Sequence, residues 1–575
     1  MEMAGKKKKL GDPATEAWAA RAGGVPGMRR EEERLGRAGV LLIVCLMTLP
    51  FLVFFFSGRT GAPAVWQSAA KLTAVGGGLP NQLSRSSATG ASNAAAELFG
   101  GLLAPGSDRH ACQSRHQSAR YYKHSPYAPS PHLLRKLRDH EARHKKCAPG
   151  TPLYAKSTAQ LRSGGRSSST EAMECQYLVW LPYNGLGNRM LSLLSAFLYA
   201  LLTDRVLLVR STDDFAGLFC DPFPDAAATW LLPPDFPVPD ANISRLGVYS
   251  DESYGNLLGS KKISNDPSKA TLMPSYVYLH LAHDLRHTDR LFYCNDDQLV
   301  LAKVNWLLLQ SDFYFVPALY DMAVFEDELR RLFPAKESVS HLLGRYLFHP
   351  SNSVWGMVKR YYHSYLAQAE ERIGVQIRMF SWASIPVDDM YKQIMACSRQ
   401  ERILPEIEGD EMGNTTDTNN IVGNDKSKAI LIASLHADYY ERIKSAYYEH
   451  AAKGEGRVGV FQPSHEERQT EGQRSHNEKA LAEIYLLSFS EVLITTGMST
   501  FGYMSSSLAG LRPAMLLTAN DHKVPETPCE RAVSMEPCFH MTPGVKCQGK
   551  AVDKEALSRH VKACEDLPNG IKLFD

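Results

Sequence analysis

Two stretches of this chain carry residues that could hold an anion at the edge of a sheet. Arg378 closes the apolar run Ile373-Gly-Val-Gln-Ile-Arg-Met-Phe380, which reads as a short buried strand. An arginine at the carboxyl end of a strand faces the ligand edge of an open α/β sheet. Its planar fork suits a pyrophosphate, with two parallel charge-assisted bonds. The other stretch is Glu491–Leu517, EVLITTGMSTFGYMSSSLAGLRPAMLL. Val492–Thr495 reads as a strand, Thr496–Thr500 as a small-residue loop, Phe501–Ala509 as a helix and Ala514–Leu517 as the next strand. A βαβ unit of this kind presents a helix N-terminus, with free N–H groups and a positive dipole end, to an anion. Ser499 and Thr500 add hydroxyl donors there. Arg378 with the run Ser499, Thr500, Phe501, Gly502 and Tyr503 would clamp a diphosphate, whose charge grows as it leaves. Taken singly, each feature has an ordinary reading: Arg378 as half of a structural ion pair, the loop as a plain strand-to-helix connection.

A second βαβ unit precedes these. Tyr177–Pro182 (strand), Tyr183–Asn188 (glycine-rich turn), Arg189–Leu202 (helix) and Val206–Val209 (strand) follow in order. The turn Gly185-Leu-Gly187-Asn188-Arg189 lacks the third glycine of a dinucleotide fingerprint, so it also fits a tight turn that lets a helix pack close to a strand. No Walker A loop, zincin helix or Gly-x-Ser-x-Gly elbow is present. Nowhere do two Asp residues stand two apart, so the Asp-x-Asp metal motif is missing. If the ligand is a sugar nucleotide, protein cations rather than a divalent metal are expected to stabilise the leaving group.

The surrounding pattern supplies elements to position these residues. Ala429–Ser434 and Val458–Phe461 read as strands, Tyr439–His450 and Glu478–Ser488 as helices. Such alternation predicts a mainly parallel sheet with helices on both faces. Earlier, Val277–Leu285, Val304–Leu309 and Phe313–Pro317 have strand character, and Glu326–Phe333 and Val354–Arg372 read as helices. Asp213–Thr271 reads as long loops lining a cleft, and Gly409–Asn424 as an exposed insertion. The expected architecture is α/β, two lobes with a cleft between them, consistent with the two or three domains that 575 residues predict.

The formal net charge is +2, which argues against a nucleic-acid partner. Lys6–Lys9, Arg29, Arg30 and Arg34 precede the apolar run Ala38–Phe56, which is long enough to span a bilayer. The positive-inside rule leaves a short cytosolic tail and places the rest in a lumen; the alternative of a cleaved signal peptide lacks a clear cleavage site. Ser57–Ala95 reads as a flexible stem. The basic stretch Arg135–Lys146 is either a patch for an anionic partner or a solvated helix face. Of 11 cysteines, Cys45 lies in the apolar run. The other ten form an even set suited to disulfides in an oxidising compartment, with Cys529 to Cys564 stapling the C-terminal tail. Connectivity stays open. Asn242 and Asn414 head glycosylation sequons.

At these residues the chain resembles the plant fucosyltransferases of the xyloglucan α-1,2-fucosyltransferase type. The resemblance runs from about Leu98 to the C-terminus. It rests on Gly100-Gly-Leu-Leu-Ala-Pro-Gly106, GLGNRMLSLLSAFLYALLTDRVLLV from Gly185, LGRYLFHPSNSVWG from Leu343, IGVQIRMF from Ile373, the Gln462-Pro-Ser464 and His476-Asn477 blocks, STFGY from Ser499 and MEPCFH from Met535. It implies a Golgi membrane enzyme of the GT-B-like type, with two Rossmann-type lobes and a transmembrane anchor. Such an enzyme moves L-fucose from GDP-β-L-fucose, without a metal cofactor, to a sugar hydroxyl and gives an α-1,2 link.

The resemblance also implies residue roles. Arg378 would hold the pyrophosphate, Ser499, Thr500, Phe501, Gly502 and Tyr503 would bind phosphate and guanosine, and Gly187 and Asn188 would sit beside the fucose. His465 would lie near the donor. Asp312, in Gln310-Ser-Asp-Phe-Tyr-Phe315, would be the general base or would only orient the acceptor. The implied organisation is a cytosolic tail (1–37), membrane anchor (38–56), stem (57–96), acceptor-side lobe (97–372), GDP-fucose lobe (373–520) and cysteine-rich tail (521–575) packing back on both. Thr496-Gly497-Met498 and Ser381–Asp388 depart from the family pattern, which leaves the acceptor open between xyloglucan galactose and arabinogalactan arabinose. A non-catalytic protein binding a glycan or GDP-sugar on the same fold, or a transferase using another GDP-sugar, stays as an alternative. Oligomeric state is open, a homodimer included.

Overall fold

The computed structural model describes residues 98–575 except 106–107, 164–172, 224–228, 265, 267–273, 409–425, 454–455, 471, 542–545, 548–549 and 552–558. The tail, apolar run and stem expected over 1–96, the insertion 409–424 and the Asn414 sequon lie outside the described residues. Asn242 is described and exposed.

Two parallel sheets carry the fold. The first has strands β1 (Tyr177–Leu181), β2 (Val206–Val209), β3 (Tyr276–Leu281) and β4 (Trp306–Ser311) in the order β2-β1-β4-β3, all parallel. The second has β5 (Glu371–Ile377), β6 (Lys428–Ser434), β7 (Val458–Phe461), β8 (Val492–Thr496), β9 (Ala514–Leu516) and β10 (Cys529–Arg531) in the order β10-β9-β8-β5-β6-β7. Only the β9–β10 pair is antiparallel. Strands β1 and β2 are buried along their whole length, as expected of a parallel sheet covered on both faces.

The helices around these sheets include α1 (Pro131–Cys147), α2 (Pro152–Arg162), α3 (Leu186–Leu202), α4 (Val339–Leu347), α5 (Asn352–Tyr361), α6 (Val387–Glu401), α7 (Asp438–Glu449), α8 (Arg474–Ser488) and α9 (Thr500–Ala509). In α1, Leu133, Leu137, His140, His144 and Cys147 recur at helical spacing and are buried. The basic residues take the outer face, where Lys136 and Arg143 pair with Asp204. The stretch Arg135–Lys146 is therefore a solvated, ion-paired helix face. Helix α9 stops at Gly510, whose φ of 76° is the left-handed cap that glycine adopts without a steric penalty.

A single apolar core joins the lobes. Leu194 and Leu198 of α3, Leu343 and Leu347 of α4, and Met504 and Leu508 of α9 all belong to it. Polar bonds add specificity at the seam. Arg345 Nε donates to the Leu508 carbonyl at 3.0 Å, and His341 Nδ1 lies 2.8 Å from the Ser507 carbonyl. Burial lowers the His341 pKa well below its ordinary value, so it sits in the core as a neutral donor.

All ten cysteines outside the apolar run pair: Cys112–Cys220, Cys147–Cys175, Cys294–Cys547, Cys397–Cys529 and Cys538–Cys564. The third ties the tail to the first lobe and the fourth ties it to the second. The tail is more than an appendage, because β10 is an edge strand of the second sheet, beyond the boundary at 520.

Two sequence expectations differ from the structure. Phe313–Pro317 is not a strand; a turn leads into the short helix Val316–Leu319, with Pro317 in its first turn. Proline has no N–H for a ladder but suits a helix start. The helix expected over Val354–Arg372 is α5, followed by a wider turn over Tyr362–Leu366. Glu371 and Arg372 then open β5, paired with Lys428 and Ala429. The over-read stretch Ala367–Arg372 is made of alanine, glutamine, glutamate and arginine, all good helix formers, so no local signal marks the chain reversal.

Candidate functional site

The carboxyl ends of both sheets face one cleft of about 740 Å³. The first lobe lines it with the β1–α3 turn, Tyr183 to Arg189. The second lobe lines it with Arg378 after β5, Ser434 after β6, Ser464 and Gln469 after β7, and Met498 to Phe501 after β8.

Two helix N-termini meet across this cleft. Helix α3 starts from Gly185 and α9 from Ser499; neither has a side-chain cap or an acidic residue in its first turn. Their first-turn N–H groups and aligned dipoles therefore offer positive potential from both sides. Gly187 permits the approach, since a Cβ there would lie 2.6 Å from Thr500 Oγ1 and 2.9 Å from the Thr500 carbonyl carbon. Thr500 Oγ1 donates to Asn188 Oδ1 at 3.1 Å, and Asn188 Nδ2 donates to the Asp312 carbonyl at 3.0 Å.

Arg378 supplies the full positive charge. Its backbone N–H donates to Thr496 Oγ1 at 3.0 Å, which ties the β5 end to β8. Its guanidinium donates to the neutral Gln469 Oε1 at 2.7 Å. Among the described residues no carboxylate forms a salt bridge with it. The reading of Arg378 as half of a structural ion pair therefore does not hold. Burial lowers its pKa, a direction that an arriving anion would reverse.

The loop before α9 is held from behind. Met498 adopts φ 59°, a left-handed conformation that costs free energy in a non-glycine residue. Asp566, from the C-terminal tail, accepts from the Met498 N–H at 2.7 Å and from the Tyr503 hydroxyl at 2.5 Å. The tail also brings His540 to the cleft wall, 3.1 Å from the Tyr503 hydroxyl.

Gly187, Asn188, Arg378, Ser499, Thr500 and Phe501 thus line one cleft, while four other expected site residues stand elsewhere. Gly502 and Tyr503 lie behind the wall: a Cβ on Gly502 would meet Gln376 and Thr495 of the sheet at 2.8 and 2.9 Å, and Tyr503 is buried against Asp566. At 100° per residue, the third and fourth residues of α9 turn to the sheet and to the tail rather than to the cleft. His465 points away, its side chain 56% exposed and 3.5 Å from Glu467; its neighbours Ser464 and Glu466 take the cleft face. Asp312 is only 4% exposed and is not on the cleft wall. Its carboxylate accepts from Asn184 Nδ2 at 2.7 Å, from the His283 N–H at 3.1 Å and from His283 Nδ1 at 2.6 Å.

One face of α8 escaped the sequence reading. His476, Lys479 and Glu483 all line the cleft, and their i, i+3, i+7 spacing is a legible signal of a shared helix face. Glu466 pairs with both Lys479 and His476. Glu483 accepts from Ser464 Oγ at 2.5 Å, and burial pushes its carboxyl up to about 8. Among the described residues the grouping with metal-ligating atoms is Cys538, Cys564 and Asp566; its two sulfurs are already joined to each other.

Comparison with known proteins shows what the whole chain is similar to. A family model described as xyloglucan fucosyltransferase covers residues 71–548. The chain is similar to a galactoside 2-alpha-L-fucosyltransferase of Pisum sativum, 47% identical over 83% of this chain and 82% of the relative. It is also similar to a galactoside 2-alpha-L-fucosyltransferase of Arabidopsis thaliana, 45% identical over 83% of each. A solved structure of a mutant of Arabidopsis thaliana FUT1 in complex with GDP superposes with a TM-score of 0.74 at 44% identity, covering 83% of this chain and 100% of that one.

Proposed function

The chain belongs to the xyloglucan fucosyltransferase family, and from that premise we propose that it moves L-fucose from GDP-β-L-fucose to a galactose hydroxyl of xyloglucan, inverting the anomeric centre to give an α-1,2 link. The observation that carries this reading is the Arg378 guanidinium, without a carboxylate partner among the described residues, in a cleft between two uncapped helix N-termini. That set of donors fits a diphosphate. The guanidinium would make charge-assisted bonds to it, and the α9 first turn with Ser499 and Thr500 would take its remaining oxygens. These groups are strongest when the sugar–phosphate bond breaks and charge collects on the leaving GDP.

The acceptor hydroxyl attacks the anomeric carbon from the face opposite the departing diphosphate, which inverts the centre. Because protein cations neutralise the leaving group, turnover should continue in EDTA. The fold is read as GT-B-like, two Rossmann-type lobes meeting at the cleft. Residues 38–56 would anchor the enzyme in the Golgi membrane with the lobes in the lumen, a reading supported by the apolar run with its preceding basic residues and by five disulfides, which suit an oxidising compartment. The relatives are named for galactoside transfer, which favours an enzyme over a binding protein and galactose over arabinose.

The test is GDP release by the purified protein from GDP-fucose, without added metal, with xyloglucan, arabinogalactan and pectic oligosaccharides in turn. Release with xyloglucan alone, and none from GDP-mannose, is the expected result. Release with arabinogalactan alone would overturn the acceptor. No release with any acceptor, despite measurable GDP binding, would overturn the enzyme reading.

A further inference from the structure

We propose that His283, oriented by Asp312, is the general base that takes the proton from the acceptor hydroxyl; this rests on the transferase reading above. Three observations carry it. Asp312 is occupied: its carboxylate holds three donors and lies beneath the surface, so an acceptor hydroxyl has no open route to it. His283, bonded to Asp312, has its side chain 56% exposed, and although it is not itself on the cleft wall it packs against Tyr183, which is. The imidazole is also fixed, because Asp312 grips both its Nδ1 and its own backbone N–H, while Tyr183 stacks over its face at 6.0 Å and 11°.

The chemistry follows from the donor inventory. An ionised carboxylate only accepts, so the bond at 2.6 Å places the proton on Nδ1 and leaves the Nε2 lone pair free to accept another. Tyr183 and Asn184 both line the cleft and both touch this pair. Asn184 has φ 61°, a left-handed backbone of the kind that persists where the surroundings over-determine it. The titratable and charged groups around the ring are Asp312 beneath it, Tyr183 over it, and Asp284 and Arg286 along the same loop. Asp284 is turned to His280 Nε2 at 2.7 Å and Arg286 to Asp289. His540, from the tail and on the cleft wall, is close enough to feel the charge of Asp312.

In the transfer, the acceptor oxygen forms a bond to the anomeric carbon, and the bond from that carbon to phosphate breaks with its electron pair leaving on GDP. The acceptor proton passes to Nε2. Asp312 stabilises the imidazolium, which then returns its proton to solvent. Asp312 is thus a positioning residue in this scheme.

The experiment compares the wild type with His283→Gln, His283→Ala and Asp312→Asn for fucosyl transfer from pH 5 to 9, with GDP binding measured by calorimetry. General-base loss should lower kcat by about 100-fold or more, while GDP affinity stays unchanged. The wild-type rate should fall on the acid side, and His283→Gln should lack that limb. Added imidazole should restore part of the His283→Ala rate, which a misfolded variant would not allow. Asp312→Asn combined with His283→Gln should be no slower than His283→Gln alone. A His283→Gln enzyme near the wild-type rate, or one that keeps the acid limb, would overturn the proposal and leave the transferase reading standing. A wild type that transfers no fucose in the same assay would overturn both.

Discussion

Gly187 in the first turn of α3 faces Thr500 at the start of α9, so closely that a Cβ on the glycine would stand 2.6 Å from the threonine Oγ1. One residue belongs to each lobe, so their contact sets the width of the cleft at its base. The nearest atoms include Thr500 backbone, which cannot swing aside as a flexible side chain would. Gly187→Ala should therefore part the helix starts. Overpacking of this kind costs about 1–3 kcal/mol, and GDP affinity should fall by about tenfold for each 1.4 kcal/mol of lost binding. Thermal unfolding and calorimetric titration with GDP measure the two effects separately.

Arg378 has no carboxylate partner among the described residues, so removing it strands no buried charge. Arg378→Ala should fold with near-normal Tm and lose transfer and GDP binding together. Arg378→Lys should recover little, because a point charge cannot replace the planar fork. A folded Arg378→Ala enzyme with a near-normal rate would refute the assignment of this arginine to the diphosphate.

Asp566 supports the loop that presents Ser499 and Thr500 by accepting from Met498 N–H and the Tyr503 hydroxyl. Asp566→Ala leaves the Met498 N–H unsatisfied, at about 1–3 kcal/mol for a buried group, leaves the Tyr503 hydroxyl with His540 alone, and frees Met498 from its left-handed backbone. GDP affinity should drop although Asp566 lines no part of the cleft. Tyr503→Phe, which removes one of the two bonds, should give a smaller loss in the same titration.

Glu483 makes stability depend on pH. Burial raises its carboxyl to about 8 in the folded protein, above its unfolded value, so the native state holds a proton that the unfolded chain releases earlier. The linked stability is fully present below the unfolded carboxyl pKa and declines as pH rises toward about 8. The slope is on the order of 1 kcal/mol per pH unit for one proton. Glu483→Gln should flatten that part of the Tm-against-pH curve, so wild type and variant should diverge between pH 5 and 8. Parallel curves would show that Glu483 does not hold this proton.

The strand-loop-helix-strand unit around Ser499 was legible in the sequence because it is local. β-branched runs, a small-residue loop and a glycine stop each act over a few residues, and β8, α9 and β9 fall within a residue of their expected bounds. Arg378 was legible for the same reason, as the residue that ends an apolar strand. The run Phe313–Pro317 was misread because apolar residues alone do not separate a strand from a buried turn and helix start. Tyr503 and Gly502 followed Ser499 into the expected site because a motif is contiguous, whereas a helix turns its third and fourth residues away from its N-terminus.

What the sequence by itself determined was the set of parts: two βαβ units, an arginine at a strand end, an even set of ten cysteines outside the apolar run and a family resemblance. These depend on periodicity and residue type, which are properties of neighbours along the chain. Only the tertiary structure decided which parts meet. It brought Gly187 against Thr500 and Asp566 behind Met498, joined the tail to both lobes through Cys294–Cys547 and Cys397–Cys529, and set Asp312 behind His283 rather than at the surface. Contacts between residues hundreds of positions apart come from burying the shared core of α3, α4 and α9. That burial favours compactness without direction, so the geometry of the site is settled by packing and hydrogen-bond satisfaction, not by any local signal.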